Sequence, residues 1–379
     1  MKGPRLIRLP RLKIPVCAPK LGAREIRYVT ECIKSSWVSG TSPYVSDFEM
    51  KFAKYCRAKF GIATNSGTTA LHLALAALGI GKGDEVIMPT FTMIATANAT
   101  TYTGARCKLV DSELDTWNLD VSKVEPLISK KTKAIMAVHT YGHPVDMGPL
   151  LDIARQNDLY VVEDAAEAHG AEYKGHRVGC LGDIGCFSFY SNKIITTGEG
   201  GMIVTNDEET AERCRWLRAH AFGKKGKHFW HERIGFGYRM SGLQAALGLA
   251  QLERIDRFVK ARRSRAELYA ELLRNMRGLA LAPEAPWAKS VFWMYSVLVQ
   301  KNFGMSREAL MRHLARKGIE TRTFFYPIHR QPAYRHICRT KSYPRADYLS
   351  AVGVNLPSGN NLTEDEIRYI CRAISAATA

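Results

Sequence analysis

The chain has 379 residues, of which 46% are hydrophobic and 24% charged, and this is enough for one large domain and a smaller one. No apolar run reaches the ~18 residues that span a bilayer, and the N-terminus lacks the continuous apolar core of a signal peptide. We therefore expect a cytoplasmic protein that does not insert into a membrane.

The chain has more basic than acidic residues, with 54 Lys and Arg against 36 Asp and Glu and a net charge of +18. Nucleic acid or an anionic small substrate would suit this charge. The basic residues are spread along the chain, with clusters at 224–227 and 260–265, and no nucleic-acid-binding motif is present. We expect a solvated basic surface and no nucleic-acid partner. Nine dispersed cysteines without a CxxC pair predict reduced thiols and no metal site.

Residues 1–20 are basic and contain Pro4, Pro10 and Pro15 among their prolines, which predicts a flexible arm. Helices and strands then alternate from about residue 46 to 206. Ser46 and Glu49 form a predicted capping box, and Ser66 begins a helix that we expect to end near Gly79.

Short apolar strands follow, separated in part by helices. This alternation predicts a mostly parallel α/β sheet covered on both faces. The predicted strands are 85–88, 108–110, 134–138, 159–162, 184–189 and 202–204, and the predicted helices are 121–128 and 147–156.

The C-terminal part predicts a smaller α+β domain. Its expected elements are one long helix from Ser241 to about Glu267, a strand at 292–299, a helix at 306–317 and a last helix capped by Thr363 and Glu366. We divide the chain into an arm (1–20), a large domain (21–255) and a small domain (256–379).

Three sequence features lie at strand ends or helix starts, where ligands bind in open α/β sheets. Ser66-Gly67-Thr68 begins a helix whose free amides could bind phosphate, although such a turn is more often only a cap. Asp164 follows an apolar strand and could face a site or serve as an N-cap. Lys193 lies between a buried strand and a Gly-rich turn, where partial desolvation favours the neutral amine.

Together these features match the needs of pyridoxal phosphate. That cofactor requires a phosphate seat, an acid opposite its pyridine nitrogen and a lysine for its aldehyde. The three occur in this order, with 193 − 164 = 29 residues between the acid and the lysine.

The chain resembles the DegT/StrS-like nucleotide-sugar aminotransferases, which have the aspartate-aminotransferase fold (fold type I). The resemblance covers about residues 37–256 and resumes at 326–329. The matching stretches are 64–71, 83–87, 138–144, the Glu163-Asp164 block, the Lys193 block and 244–248.

The resemblance implies the site residues. Lys193 forms the Schiff base and Asp164 faces the pyridine nitrogen. The other implied contacts are Gly67, Thr68 and Ser188 with the phosphate, Glu167 near the ring hydroxyl, Arg239 with the donor carboxylate and His329 on the substrate side.

Two positions depart from the family. Gly237 stands where an asparagine normally reaches the phosphate from the partner subunit, so this contact of the expected homodimer is in question. Met93 stands where an aromatic ring often stacks on the cofactor, and its sulfur can pack there instead.

The block 192–201 resembles the branch that aminates C4 of the sugar. The resemblance implies transfer of an amino group from L-glutamate to a nucleotide-linked 4-keto-6-deoxy sugar, with GDP-4-keto-6-deoxymannose expected as acceptor and GDP-perosamine as product. A UDP- or dTDP-linked sugar is the alternative. A nucleic-acid-binding regulator on this fold is a distant one.

Overall fold

The computed structural model describes residues 14–223, 229–337 and 342–377. Most of the predicted N-terminal arm and the lysines at 224–227 lie outside these ranges. Ile14 and Val16 are buried, and Ile14 forms a bridge with Ile319, so this part of the predicted arm packs against the rest of the protein.

The strands and helices alternate through the first two thirds of the chain. The strands are β1 (Phe60–Thr64), β2 (Glu85–Pro89), β3 (Arg106–Val110), β4 (Thr132–Val138), β5 (Tyr160–Asp164), β6 (Glu172–Tyr173), β7 (His176–Arg177), β8 (Ile184–Ser188), β9 (Gly201–Thr205), β10 (Leu279–Leu281), β11 (Ala288–Lys289), β12 (Tyr295–Val299), β13 (Arg322–Thr323) and β14 (Gly353–Leu356). The α-helices are α1 (Ala23–Lys34), α2 (Pro43–Cys56), α3 (Gly67–Ala77), α4 (Ile94–Tyr102), α5 (Met147–Gln156), α6 (Glu208–Arg218), α7 (Gly242–Leu252), α8 (Ile255–Leu273), α9 (Arg307–Arg316), α10 (Pro344–Val352) and α11 (Glu364–Ser375).

The central sheet has seven strands in the order β1-β9-β8-β5-β4-β2-β3. Only β9 runs antiparallel to its neighbours, so the predicted mostly parallel α/β fold is confirmed. All residues of β8 and β9 are buried, and α3 packs against both. The helices therefore cover the sheet and leave its strand ends as the place for a site.

Two local predictions in this part are wrong. Helix α2 begins at Pro43 after the N-cap Ser42, because proline favours the first helical position, and Ser46 already lies inside the helix. Glu49 accepts a hydrogen bond from the Ala63 amide (2.8 Å) instead of capping the helix. The predicted helix at 121–128 is two 3₁₀ turns, since Pro126 disfavours a continuous helix.

The C-terminal part contains an antiparallel sheet in the order β10-β12-β14-β13. The helices α9 and α11 confirm the predictions, including the Thr363–Glu366 capping box. The prediction of a single long helix is wrong. Helices α7 and α8 are separated at Glu253 and Arg254, where Arg254 forms an ion pair with the buried Glu25 of α1. A second buried cluster lies between α8, α9, α11 and this sheet. The domain boundary at residue 255 stays a prediction.

Candidate active site

A cavity of about 440 Å³ lies where β5 and β8 end, beside the start of α3. The second sheet contributes Arg322, Thr323 and Asn355 to its wall. Seven of the nine predicted site residues line it: Gly67, Thr68, Met93, Asp164, Glu167, Ser188 and Lys193. The chain therefore brings together groups that are up to 126 residues apart in sequence (193 − 67).

The backbone at the start of α3, where the phosphate seat is predicted, is open to the close approach of an anion. Ser66 is the N-cap, and its Oγ accepts a hydrogen bond from the Thr69 amide (3.2 Å). A Cβ added to Gly67 would lie 2.7 Å from the Cβ of Ser188. Only glycine leaves this cradle open, and the helix start offers amides and positive dipole to an anion.

Asp164 is the last residue of β5, and no α-helix begins after it before α6, so its alternative role as an N-cap does not apply to this described segment. Its carboxylate is buried and accepts hydrogen bonds from Thr96 Oγ1 (2.9 Å) and the Ala166 amide (3.2 Å). Burial raises the pKa of Asp164, while these bonds and Lys193 oppose the shift. A buried carboxylate of this kind favours a cationic partner such as a protonated ring nitrogen.

The neighbouring acid, Glu163, has a structural role that the sequence did not reveal. One carboxylate oxygen accepts from the amides of Leu181 and Gly182 (2.7 Å each), and the other lies 3.0 Å from His139 Nε2. The Val145 amide donates to His139 Nδ1 (3.1 Å), so Nε2 carries the proton and donates to Glu163. Glu163 thus anchors the turn behind the cavity, and Asp164 faces the cavity.

Lys193 is held close to a second acid. Its Nζ lies 3.5 Å from Glu167 Oε1, and Glu167 Oε2 accepts a hydrogen bond from the Tyr141 amide (2.9 Å). Burial raises the pKa of Glu167 to about 7, against the opposing effect of Lys193. Near neutral pH the Glu167 carboxyl can therefore take up or release a proton beside the amine, as acid–base chemistry requires.

Trp293 covers the other side of Lys193. The amine lies 3.9 Å from the centre of the indole ring. The indole Nε1 donates to the carbonyl of Asn192 (2.8 Å). Sequence reasoning missed this residue because it lies 100 residues after Lys193 (293 − 193), in the segment before β12, where no local pattern marks a cavity wall.

The structure does not bring Arg239 and His329 to this cavity. His329 lies between Thr90 Oγ1 (2.8 Å from Nδ1) and Asp347 Oδ1 (3.0 Å from Nε2), and burial lowers its pKa. Arg239 is half-buried against Gly40, where an added Cβ would lie 2.8 Å from the Arg239 Cβ. Their roles toward the substrate stay predictions.

Within residues 14–223, 229–337 and 342–377, no three acidic, histidine or cysteine side chains gather as metal ligands would. In the same ranges, no helix combines the length and apolarity that crossing a membrane demands.

The family model for DegT/DnrJ/EryC1/StrS aminotransferases matches residues 19–375. The chain belongs to this aminotransferase family. A family relative from Caulobacter vibrioides, named GDP-perosamine synthase, is 46% identical over 97% of this chain and 98% of its own length. The dTDP-3-amino-3,4,6-trideoxy-α-D-glucose transaminase of Streptomyces venezuelae is 37% identical over 88% of this chain and 86% of its own length.

The family's solved structures share the fold. The crystal structure of S. venezuelae DesV in complex with a ketimine intermediate superposes with a TM-score of 0.89 at 35% identity, covering 94% of each chain. The cradle at Gly67, the buried Asp164 and the Lys193 amine at one cavity fit the cofactor that the family resemblance implies.

Proposed function

We propose that the protein is a pyridoxal-phosphate-dependent aminotransferase that transfers an amino group from L-glutamate to C4 of GDP-4-keto-6-deoxymannose, giving GDP-perosamine. The observation that carries the proposal is the convergence of Lys193, Asp164 and the start of α3 on one cavity. The Caulobacter vibrioides relative supports the choice of sugar and nucleotide. We place the reaction in the cytoplasm.

The cavity residues divide the binding of the cofactor among them. Gly67, Thr68 and Ser188 would hold the phosphate, and Asp164 would pair with the ring nitrogen. Glu167 would lie near the ring hydroxyl, and Met93, which is 51% exposed, would pack on the ring. When bound, the cofactor supplies an aldehyde that links to amines and a ring that takes up the electrons of a cleaved C–H bond.

The chain's own contribution to the chemistry is the handling of one proton. Lys193 Nζ, once free and neutral, would remove the proton from the α-carbon of the donor. In the half-reaction with the sugar, the same group would return a proton to the carbon that receives the amino group. Glu167, with a pKa near 7, is the adjacent group that can take or give a proton at that amine. Burial of Lys193, whose side chain is 10% exposed, excludes water that would compete for the proton.

A homodimer with active sites shared between subunits is part of the proposal. Tyr190, which lines the cavity, is half-exposed, and Ile234 is 90% exposed. Trp37 adds a further exposed apolar side chain. A second copy of the chain would bury such residues and close the cavity.

A UDP- or dTDP-linked 4-keto sugar is the second candidate acceptor, favoured by the similarity to the dTDP-sugar transaminase of Streptomyces venezuelae. Arg322 at the cavity wall suits any diphosphate and does not select a base. Base selection depends on hydrogen bonds to base edges, which strongly reject a ligand that leaves them unpaired.

A competition assay tests the proposal. The purified protein receives L-glutamate together with GDP-, UDP- and dTDP-linked 4-keto-6-deoxy sugars, and the aminated product is identified by NMR. We expect 2-oxoglutarate and a GDP sugar aminated at C4. Amination at C3, or preference for the UDP or dTDP sugar, would contradict the proposed substrate.

A further inference from the structure

The contact between Lys193 and Trp293 is a buried cation–π pair. Trp293 is 5% exposed, and the Lys193 amine lies 3.9 Å from its ring centre, well inside the ~6 Å range of this interaction. A second neighbour of the amine is the Glu167 carboxylate, 3.5 Å away. The amine is therefore held between a carboxylate and an aromatic face, out of reach of most water.

Two hydrogen bonds from Trp293 hold its position. Its Nε1 donates to the carbonyl of Asn192 (2.8 Å), and its own amide donates to the carbonyl of Tyr141 (3.0 Å). The preceding residue, Phe292, has a φ of 43°, a left-handed conformation that is costly for a bulky side chain. Such strain persists only where the surroundings enforce it, so the backbone directly before Trp293 is constrained.

The two partners of Lys193 respond differently to pH. Glu167 has a pKa of about 7, so its negative charge is only partly present near neutrality. The face of an indole ring attracts a cation at any pH, because this attraction arises from the ring quadrupole. The attraction between the indole ring and the ammonium group is therefore the contact that does not change with the ionisation of Glu167.

We propose that Trp293 is a positioning residue for Lys193: its ring face holds the free ammonium group, and its N–H holds the backbone directly before the lysine. This inference deepens the proposed function, in which the lysine must leave the cofactor and return in every cycle. It gives the free amine a defined place in the cavity, between Glu167 and the indole ring.

The two contacts can be separated by substitution. Trp293→Phe keeps an aromatic face and removes the N–H, whereas Trp293→Leu removes both. With α-deuterated L-glutamate, we expect the deuterium isotope effect on the amino-donor half-reaction to rise from wild type to Trp293→Phe to Trp293→Leu, while the KM for glutamate changes little. A rise in KM with an unchanged isotope effect would indicate a merely structural role.

A measurement on the cofactor-free protein tests the ring contact without relying on transamination. The protein is prepared with tryptophan, monofluoro-, difluoro- and trifluorotryptophan, which weaken the ring quadrupole with little change in volume. Acetic anhydride then labels amines at fixed pH, and mass spectrometry gives the labelling rate of Lys193 relative to the exposed Lys289. The reagent attacks only neutral amines, so a weaker hold on the ammonium accelerates labelling.

We expect the relative rate at Lys193 to rise stepwise along the series, by roughly tenfold in total, which corresponds to ~1.4 kcal/mol. The same series in the Trp293→Phe variant is the control for the five other tryptophans (6 − 1) and should be flat. A flat series in the wild type, or an equal rise in Trp293→Phe, would overturn the inference. Failure of the proposed function would instead appear as an absence of turnover with the labelling trend intact.

Discussion

The two walls of the cavity differ in how the chain builds them. The wall formed by α3, β5 and β8 presents Gly67, Asp164 and Lys193 from strand ends and helix starts of the central sheet. The opposite wall presents Arg322, Thr323 and Asn355 from the second sheet, which lie more than a hundred residues further along the chain. The first wall follows rules of α/β topology, and the second depends on how two sheets pack. Chemistry common to a family can thus be fixed on one wall while substrate choice varies on the other.

The largest effect is expected on the first wall. Lys193→Ala should abolish turnover, because among the described residues that line the cavity no other lysine could link to the cofactor and move the proton. The fold should persist, since the truncated side chain lies at a cavity and not in the packed core. Steady-state assays and circular dichroism measure the two properties, with Lys289→Ala as the control at an exposed lysine. An active Lys193→Ala enzyme would remove the basis for the assignment.

Glu167→Gln tests the acid beside that lysine through stability. The folded-state pKa of Glu167 is raised from 4.5 to about 7, so its contribution to stability is fully present below pH 4.5 and is lost as pH rises through about 7. Relative to Glu167→Gln, the cofactor-free wild type should therefore be more stable at pH 4.5 than at pH 8, by on the order of 2 kcal/mol.

Urea unfolding of both proteins at the two pH values measures this difference. Glutamine keeps an acceptor for the Tyr141 amide, so the backbone contact is preserved in the variant. A difference between the two proteins that does not change with pH would mean that Glu167 titrates normally.

The second wall should respond in substrate affinity alone. Arg322→Ala is expected to raise the KM for the nucleotide sugar roughly tenfold, the effect of losing one charged hydrogen bond. Cofactor binding and the half-reaction with L-glutamate should remain unchanged. Lys301→Ala, at an exposed residue outside the cavity, is the matched control. Loss of bound cofactor in Arg322→Ala would show that the two walls are not separable.

The two walls of the cavity also differ in how well they could be predicted from the sequence. Six of the seven strands of the central sheet were predictable from apolar runs, and so was the place of Gly67, Asp164 and Lys193 at strand ends and helix starts; β1 was not predicted. Met93, Glu167 and Ser188 were predicted only from the family resemblance. The interruption between α7 and α8 was not predictable, since neither glycine nor proline marks it and a distant ion pair with Glu25 holds it. Trp293 was missed for a similar reason: only packing between the sheets brings it to Lys193.

The smallest effect is expected at Gly237, where the family resemblance implies an asparagine that reaches the cofactor phosphate of the partner subunit. A Cβ at Gly237 would lie 3.1 Å from His220 Cε1, so a side chain fits after a small shift of that ring. Gly237→Asn should tighten cofactor binding by ~1 kcal/mol, the value of one added hydrogen bond. Fluorescence titration of the cofactor measures it, with Gly237→Ala as control. An equal gain in both variants would contradict the shared-site proposal, as would a fully active monomer in sedimentation.

Borohydride reduction tests the central claim most directly. The purified protein, saturated with pyridoxal phosphate, is reduced and digested, and the modified peptide is sequenced by mass spectrometry. The account predicts one cofactor per chain, attached to Lys193, and displacement of that attachment when L-glutamate is added before reduction. Cofactor fixed at another lysine, or none fixed at all, would contradict it.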